Sequence, residues 1–345
     1  MAADCAVQQA LRLDVYAGEP GFQRLREIWN PLLHRSAYDT LFMTWEFQST
    51  WWKHHGEGDP FFLVGTEGGD PVGIAPLYVE DIDGRRTVRI VGGTEVADYL
   101  DFIVLPGYEE PFVEAVVDWL MSGAAPAWDV IEWVNVPEEG VLYHIFPRVA
   151  ARKGLPVEPE QEDVCPIIPL PATWEEYLMM LNKHQRHEIR RKIRRIERNA
   201  DVHWYIVDHG HDLDHEVEQF IRLHELSRPD KDAFMTPKMK AFFRDLAHVM
   251  LDAGWLQLSF IVVNGDTAAS MYCFDYGDSI LVYNSGYAPQ SYASLSPGIV
   301  LLSYCIRHAI ELGKRHFDFM QGDEEYKYRF GGQDTRVYRM MVPRA

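Results

Sequence analysis

Cysteine is scarce in this chain of 345 residues, with four copies, Cys5, Cys165, Cys273 and Cys305, and no Cys-x-x-Cys pair. Such scattered thiols favour a reducing compartment in which they are buried or idle. Positive charge is also in short supply, because 33 Lys and Arg face 52 Asp and Glu and leave a net charge of −19. That balance argues against a general binder of nucleic acids or anionic membranes, but it leaves room for a local basic site.

Several sequence signals are missing altogether. No apolar run approaches the length of a membrane span, and residues 1–19 lack the apolar core of a signal peptide. No Gly-x-Ser-x-Gly, P-loop or dinucleotide fingerprint occurs. The histidines of segment 209–215 do not fit a zinc spacing, so we expect no metal. With 47% hydrophobic residues, we expect a soluble, cytoplasmic globular protein of about two domains.

One pattern of three β-rich segments and two tight turns occurs twice in the sequence. Gly69-Asp70 in the first copy corresponds to Gly265-Asp266 in the second, and such dipeptides between β-rich segments predict hairpins. A helix and a further strand follow each meander. The predicted segments are 61–66, 71–79, 85–92, 109–121 and 129–136 in the first copy and 256–263, 267–276, 279–286, 297–312 and 315–320 in the second.

This repeat sets the expected architecture. A helix that leads from a meander into another strand gives an α+β layer, so two copies predict two similar domains. Each domain is expected to hold a mixed, mostly antiparallel sheet flanked by helices. The Pro- and Glu-rich segment 153–160 is the predicted linker between domains of residues 1–155 and 162–345.

Residues 279–310 contain no Asp or Glu, and a helix start lies within them. Ser296 as N-cap and Pro297 as first helical residue predict bare backbone N–H groups at Gly298 and Ile299, with Ser294 close by. A helix N-terminus of this kind suits a phosphate, although an ordinary capped core helix has the same pattern. The corresponding helix of the first copy begins with two carboxylates, which would repel a phosphate.

A strongly basic segment precedes the second meander. Residues 183–198 contain eight Lys or Arg and two Glu, within an amphipathic pattern that predicts one helix over residues 174–198, capped by Thr173 and Glu176. A solvated charged face is the alternative interpretation. Arg190 and Arg194 are our candidates for contacts with an anion, and the anion is a phosphorylated donor, an acyl carrier protein, tRNA or the acidic remainder of this chain.

The C-terminal region carries the most specific pattern: Asp318 and Gly322, then the segment 326–331, Tyr-Lys-Tyr-Arg-Phe-Gly. Together with the basic helix, the meander and the Leu-Ser-Pro-Gly turn of 295–298, this order resembles the FemAB/CelD-like branch of the GNAT acyltransferases. The first half is similar too, with tryptophans before its meander and Asp98-Tyr99-Leu100-Asp101 after it. The resemblance covers roughly residues 10–342.

The resemblance implies two tandem GNAT-like domains, the second of which binds acyl-CoA and carries out catalysis. The pyrophosphate turn matches Ser296–Gly298, and Lys327 matches a lysine that Fem-like proteins carry. Lys327 is then an oxyanion-stabilising or donor-positioning cation, and Tyr326 or Tyr328 is the acid for the leaving group. An acyl-carrier-protein or tRNA-borne donor remains open.

On the acceptor side, the resemblance places an acidic spot at Asp98 and Asp101, with Asp101 as a candidate base. A turn at the end of a strand explains the same residues. Tyr99, Trp45 and Trp52 are candidate lining residues of an acceptor site, as is Tyr283 in the second half; core packing is the alternative for the tryptophans.

The leading hypothesis is an N-acyltransferase that moves an acyl group from a thioester donor, acyl-CoA or acyl-carrier protein, to an amine of a small molecule or sugar. The resemblance links such enzymes to polysaccharide or cell-envelope metabolism. One alternative is a Fem-like transferase that uses aminoacyl-tRNA to form a peptide bond. The other is a catalytically inactive GNAT pair that serves as a scaffold. The acceptor and the oligomeric state are not specified by the sequence.

Overall fold

The computed structural model describes residues 11–93, 95–290 and 292–344. These divide into two compact units, Met1–Asp163 with Arg336–Ala345, and Val164–Thr335. The predicted domains, 1–155 and 162–345, placed the whole C-terminal segment in the second domain. In the structure, Arg336–Ala345 belongs to the first unit instead. The reason is that the last strand of the chain pairs with a strand of the first unit. None of the described helices is both long and apolar enough to cross a bilayer.

Within the described residues, the first unit contains one short side strand, four helices and six strands in one sheet path, the sixth of which lies at the C-terminal end of the chain. In chain order the elements are β1 (Arg12–Ala17), α1 (Glu19–Leu33), α2 (Trp45–His55), β2 (Phe61–Glu67), β3 (Asp70–Ile82), β4 (Arg85–Ile90), β5 (Ile103–Val104), α3 (Glu109–Met121), β6 (Val130–Pro137) and α4 (Val141–Arg152). Strand β7 (Glu160–Pro169) then leads into the second unit.

The second unit has more helices. Its elements are α5 (Trp174–Met180), α6 (Lys183–Asn199), β8 (Val202–Ile206), α7 (Leu213–Ser227), α8 (Pro229–Phe234), α9 (Pro237–Asp252), β9 (Leu256–Val263), β10 (Asp266–Tyr276), β11 (Ser279–Tyr287), α10 (Pro297–Glu311), β12 (His316–Asp318) and α11 (Glu325–Arg329). The last strand of the chain, β13 (Gln333–Pro343), belongs to the first unit from Arg336 onward. Residues Ala293–Leu295 form a short 3₁₀ helix before α10.

The repeat predicted from the sequence is confirmed. Strands β2, β3 and β4 form one antiparallel meander, and β9, β10 and β11 form the other. The hairpin turns hold both central residues at positive φ, Gly68 and Gly69 in the first copy and Asn264 and Gly265 in the second. Positive φ at both positions is the geometry of the hairpin turn that matches strand twist. In each copy a helix then crosses to a parallel neighbour of the third meander strand, β6 beside β4 and β12 beside β11.

The two copies exchange their final strands. The first unit runs β1-β2-β3-β4-β6-β13, and the second runs β8-β9-β10-β11-β12-β7. The closing strand of the first unit is β13, which pairs with β6 from Val337 to Pro343. The closing strand of the second unit is β7, which pairs with β12 through Ile167, Ile168 and Pro169. The sheet of the first unit therefore ends with the strand that follows the second copy, and the sheet of the second unit ends with the strand that follows the first copy.

The basic segment is two helices rather than the predicted single one. Thr173 and Glu176 form the predicted capping box on α5, but α5 ends at Met180 and the next residue, Leu181, is extended. Asn182 then caps a new helix, with its side-chain oxygen accepting from the N–H of Gln185. A local side-chain cap of this kind competes with helix continuation, and this accounts for the break.

Candidate functional site

The parallel pair of β11 and β12 opens toward the carboxyl end of β11. The strands pair from Ser279 with His316 to Leu281 with Asp318. There β12 ends, while β11 continues to Tyr287. The carboxyl ends of parallel strands at which neighbouring strands part are where α/β sheets commonly bind ligands.

Helix α10 begins at this same end of β11, in the segment that the sequence marked as free of carboxylates. The N–H groups of Gly298 and Ile299 have no acceptor within the described part of the chain. No acidic residue lies in the first turn of the helix, and a Cβ added at Gly298 would meet no atom within 4 Å. These two N–H groups and the helix dipole can therefore bind an anion.

A lysine stands beside this helix start. The ammonium of Lys192, on α6, lies 3.4 Å from the hydroxyl oxygen of Ser296. Burial lowers the pKa of Lys192, and the charge of Glu188 partly offsets that effect. The positive charges of Arg191 and Arg329 lower the pKa further. An anion at the helix start would relieve this crowding of positive charge, so helix and lysine form one anion-binding arrangement.

Ser296 does not cap α10 in the way that the sequence predicted. It adopts a left-handed conformation with φ 55° and makes no capping hydrogen bond through its side chain, which instead contacts Lys192. Tyr292 is also left-handed, with φ 58°. Two non-glycine residues in this sparsely populated region mark a constrained loop of the kind found at ligand-binding sites. Ser294 is exposed within the 3₁₀ helix of this loop.

The predicted anion contacts Arg190 and Arg194 lie in a groove between α5, α6 and α10. This groove has a volume of about 180 Å³, and Trp174 and Tyr304 also line it. Arg190 forms an ion pair with Glu175 at 2.5 Å, and Nε of Arg194 donates to the carbonyl of Arg190 at 3.2 Å. The lining does not include the start of α10, so Lys192 is the basic residue that reaches Ser296.

Lys327 is buried, with 2% of its surface exposed, and its ammonium is enclosed by oxygen atoms. Nζ donates to the carbonyls of Met320, Gln321 and Gly322 at 3.1, 2.5 and 3.0 Å. It also lies 2.9 Å from Oε2 of Glu324. An ammonium has three donors, and these contacts use all of them. These contacts make Lys327 a clamp for the loop after β12, and the role as a cation for an oxyanion that the resemblance implied stays a prediction.

The two tyrosines of the same motif are both half-buried. The ring of Tyr326 packs edge-on against Phe319, with centroids 5.9 Å apart. Burial raises the pKa of Tyr326, and the charge of Glu324 adds to the increase, so the phenol holds its proton more tightly and is a weaker acid. Tyr328 is half-buried on the same helix.

Asp101, the candidate base, is fully buried and caps a helix of the first unit. Its Oδ1 accepts from the N–H groups of Phe102 and Leu142 at 2.8 and 2.9 Å. Its Oδ2 accepts from the N–H of Val141 at 2.5 Å. Burial raises the pKa of Asp101 to about 7, although these three hydrogen bonds oppose the increase. The contacts satisfy the start of α4, which has no cap of its own at Gly140.

The tryptophans proposed for the acceptor site pack within the first unit. Trp45 is half-buried; its indole N–H donates to the carbonyl of Phe22 at 2.8 Å, and the guanidinium of Arg26 lies 4.5 Å over its ring. Trp52 is buried, with its ring edge-on to Tyr78 at 5.6 Å. These contacts match the core-packing alternative.

The other candidate acceptor residues are also partly or fully enclosed. Asp98 is half-buried, and Tyr99 is buried with its ring 6.1 Å from that of Phe42. In the second unit, Tyr283 is the extra residue of a β-bulge, because Asn284 and Val282 pair with consecutive residues of β10. Its ring lies in an aromatic cluster of the core.

Sequence reasoning missed the role of Lys192, although a signal was present. Ile189 and Ile196 are the buried residues of α6, and their seven-residue spacing places position 192 on the same inward face of the helix. The helical pattern thus turns Lys192 toward the protein.

Residues 183–328 match the family model for an acetyltransferase (GNAT) domain. Among solved structures, the chain is similar to FemX, with 11% identity over 92% of this chain and 96% of that chain and a TM-score of 0.69. It is similar to the C-terminal domain of a putative lysylphosphatidylglycerol synthetase from Agrobacterium fabrum, with 12% identity over 94% and 92% and a TM-score of 0.57. It is also similar to L-PGS from Bacillus licheniformis, with 12% identity over 91% of this chain and 90% of that chain and a TM-score of 0.55. A comparison with curated proteins found no match.

These matches define the class: the chain has a GNAT-type fold with a mixed sheet and flanking helices. Residues 183–328 match the GNAT domain model, and the fold is similar to that of FemX over nearly the whole chain, as the sequence resemblance implied. At this level of sequence identity the structural likeness shows the fold alone, and the donor and acceptor have to be argued from the chain's own residues.

Proposed function

We propose that this protein is an N-acyltransferase that binds acyl-CoA at the start of α10 and transfers the acyl group to an amine. The observation that carries the proposal is that two N–H groups without an acceptor among the described residues, those of Gly298 and Ile299, lie at the same helix start as the ammonium of Lys192 beside Ser296. The diphosphate of CoA is an anion of the size that such a helix start accepts. The match of residues 183–328 to the model of an acetyltransferase (GNAT) domain supports the acyl-transfer chemistry.

The reaction itself requires little covalent help from the protein. The amine nitrogen attacks the thioester carbonyl, a C–N bond forms, and the C–S bond breaks to release a thiolate while the nitrogen loses a proton. Holding donor and acceptor in reacting positions supplies a large part of the acceleration. The open end of the β11–β12 pair offers a place for the thioester arm, because β11 has no β12 partner beyond Leu281.

Calorimetric titration with CoA, acetyl-CoA and long-chain acyl-CoAs tests the donor site. Lys192→Ala should weaken binding about tenfold, the loss of one charge-assisted contact of about 1.4 kcal/mol. Gly298→Glu should weaken it at least as much by placing a carboxylate at the site. Neither change should lower the melting temperature of the free protein by much, because Lys192 makes one side-chain contact and Gly298 adjoins open space.

Lys183→Ala is the matched control, because it removes the same charge from an exposed position on the same helix. Equal affinities for the wild type and the Lys192 and Gly298 variants would place the donor elsewhere. Chain-length dependence among the acyl-CoAs would measure the size of the acyl pocket.

An aminoacyl-tRNA donor is the second candidate, and the exposed face of α6 favours it. Arg195 and Arg198 are exposed and have no carboxylate partner within the described residues. If no acyl-CoA binds, tRNA should bind this face with an affinity that falls steeply with salt, and Arg195→Ala with Arg198→Ala should flatten that dependence.

A further inference from the structure

Lys231, near the start of α8, places its ammonium against the part of β11 that β12 does not pair with. Its Nζ donates to the backbone carbonyl of Ser285 at 2.6 Å and lies 3.4 Å from the hydroxyl oxygen of the same residue. Ser285 lies four residues beyond Leu281, the last β11 residue that pairs with β12. The ammonium therefore lies beside the opening of the sheet described above.

The surroundings hold this part of the chain firmly. Helix α7 packs directly on β11, since a Cβ on Gly286 would lie 2.4 Å from the backbone nitrogen of His224. The imidazole Nε2 of His224 is 2.9 Å from Oδ1 of Asn284. Burial, followed by the charge of Lys231, lowers the pKa of His224 to about 4. His224 is thus neutral at physiological pH, and its hydrogen bond with Asn284 links α7 to β11.

The nearby carboxylates are engaged by other cations. Asp230 forms an ion pair with Arg228 at 2.6 Å, and Glu324 forms one with Lys327 at 2.9 Å. No carboxylate of the described residues lies within ion-pair distance of Lys231. The ammonium of Lys231 consequently contacts neutral oxygen atoms of Ser285. Neutral oxygens stabilise the protonated form of a lysine less than a carboxylate does.

The titration of Lys231 suits proton transfer near neutral pH. Burial is the largest effect and, with the charge of Arg228, lowers the pKa of Lys231 to about 8, although Glu324 and Asp230 oppose the decrease. A thiol has an ordinary pKa of about 8.5. Acid and leaving group are therefore closely matched, which is the condition for efficient general-acid catalysis.

We propose that Lys231 is the catalytic acid that protonates the departing thiolate of the acyl donor. This inference rests on the acyl-CoA site proposed above. As the C–S bond breaks, its electron pair goes to sulfur, and sulfur takes a proton from the Lys231 ammonium. The neutral Lys231 amine then recovers a proton from the newly acylated nitrogen, which carries one in excess after attack. The products are an amide and a thiol, and Lys231 ends as the ammonium.

The test titrates the thiol of free CoA bound to the full-length protein, followed by the ultraviolet absorbance of the thiolate. In the wild type, the positive charge of Lys231 should lower the pKa of the bound thiol by about one unit, a tenfold gain in thiolate. Lys231→Gln should abolish this decrease with CoA affinity unchanged within about twofold. Lys238→Gln, an exposed lysine of α9, is the matched control and should behave as the wild type.

Lys231→Arg separates proton transfer from charge. A guanidinium keeps the charge and does not release its proton, so the low thiol pKa should persist. With acetyl-CoA and hydroxylamine as substrates, CoA release by Lys231→Arg should nevertheless fall about 100-fold, as for Lys231→Gln. Restoration of the rate by arginine would reject proton transfer from Lys231.

The experiments distinguish failure of the proposed donor site from failure of the proposed role of Lys231. If CoA binds the wild type and Lys231→Gln equally well and the bound thiol has the same pKa in both, the role of Lys231 is wrong and the donor site stands. If CoA does not bind the wild type at all, the donor site is wrong and the role of Lys231 falls with it. The thiol titration needs no acceptor and tests whether Lys231 lies at the thiol, and the CoA release rate of Lys231→Arg then tests proton transfer.

Discussion

Replacing Asp101 by asparagine tests whether this buried carboxyl serves the fold. The rise of its pKa from 3.8 to about 7 corresponds to about 4 kcal/mol. The folded state binds the proton more tightly than the unfolded state, so this contribution to stability is full below the unfolded pKa. It is lost as the pH rises through about 7. Between pH 4 and 7, Asp101 should reduce the free energy of unfolding by about 1.4 kcal/mol per pH unit.

Asparagine removes the titration while it keeps the shape. Its amide nitrogen cannot accept the hydrogen bond from Val141 N–H, so at pH 5 the variant should be less stable than the wild type by about 1–3 kcal/mol. At pH 8 the wild type carries a buried charge and the variant does not. The stability gap should therefore close, or change sign, between pH 5 and pH 8.

Urea unfolding of both proteins at several pH values measures this gap, and hydrogen exchange along α4 (Val141–Arg152) localises it. Asp59→Asn is the control, because Asp59 is exposed and makes no side-chain hydrogen bond within the described residues. A gap that widens as the pH rises would show that the pKa of Asp101 is depressed in the folded state, and the reasoning from burial would be refuted.

Two further changes probe buried charges with structural roles. Glu132 is 2% exposed and forms ion pairs with Arg89 and Arg339. Glu132→Ala leaves both cations without this partner and should lower the free energy of unfolding in urea by about 3–5 kcal/mol. An unchanged unfolding midpoint would mean that the ion pairs add nothing to stability. Lys327→Met leaves three carbonyls without their donor and should lower stability by about 3 kcal/mol and activity with it. Loss of activity at unchanged melting temperature would instead restore the direct catalytic role implied by the resemblance.

The sequence specified the parts of the fold that depend on local chemistry. Gly68-Gly69 and Asn264-Gly265 sit where only residues tolerant of positive φ close a hairpin, so both meanders could be predicted with nearly correct ends. Proline at position 297 likewise marked the first residue of α10. The break at Leu181 was missed because the hydrophobic stripe runs on across it, and only the side-chain cap from Asn182 shows that a new helix begins.

The candidate site was harder to predict, since it depends on contacts between distant residues. Pro297 and the lack of carboxylates in residues 279–310 together marked the start of α10 as a candidate anion site, and this was the useful signal. Composition could not show that Lys327 turns its ammonium into a ring of carbonyls, or that Asp101 reaches the first turn of a helix 40 residues later. Lys231 gives no signal at all in the sequence, because its position depends on how α8 lies against β11.

The exchange of closing strands ties the two halves together during biosynthesis. A ribosome releases the residues of β6 long before those of β13, so the sheet of the first unit waits with an open edge while the entire second unit is made. An open edge of this kind invites pairing with other chains. A fragment that ends at residue 163 lacks β13, so the edge of β6 that β13 covers would stay unpaired and open to pairing with other chains.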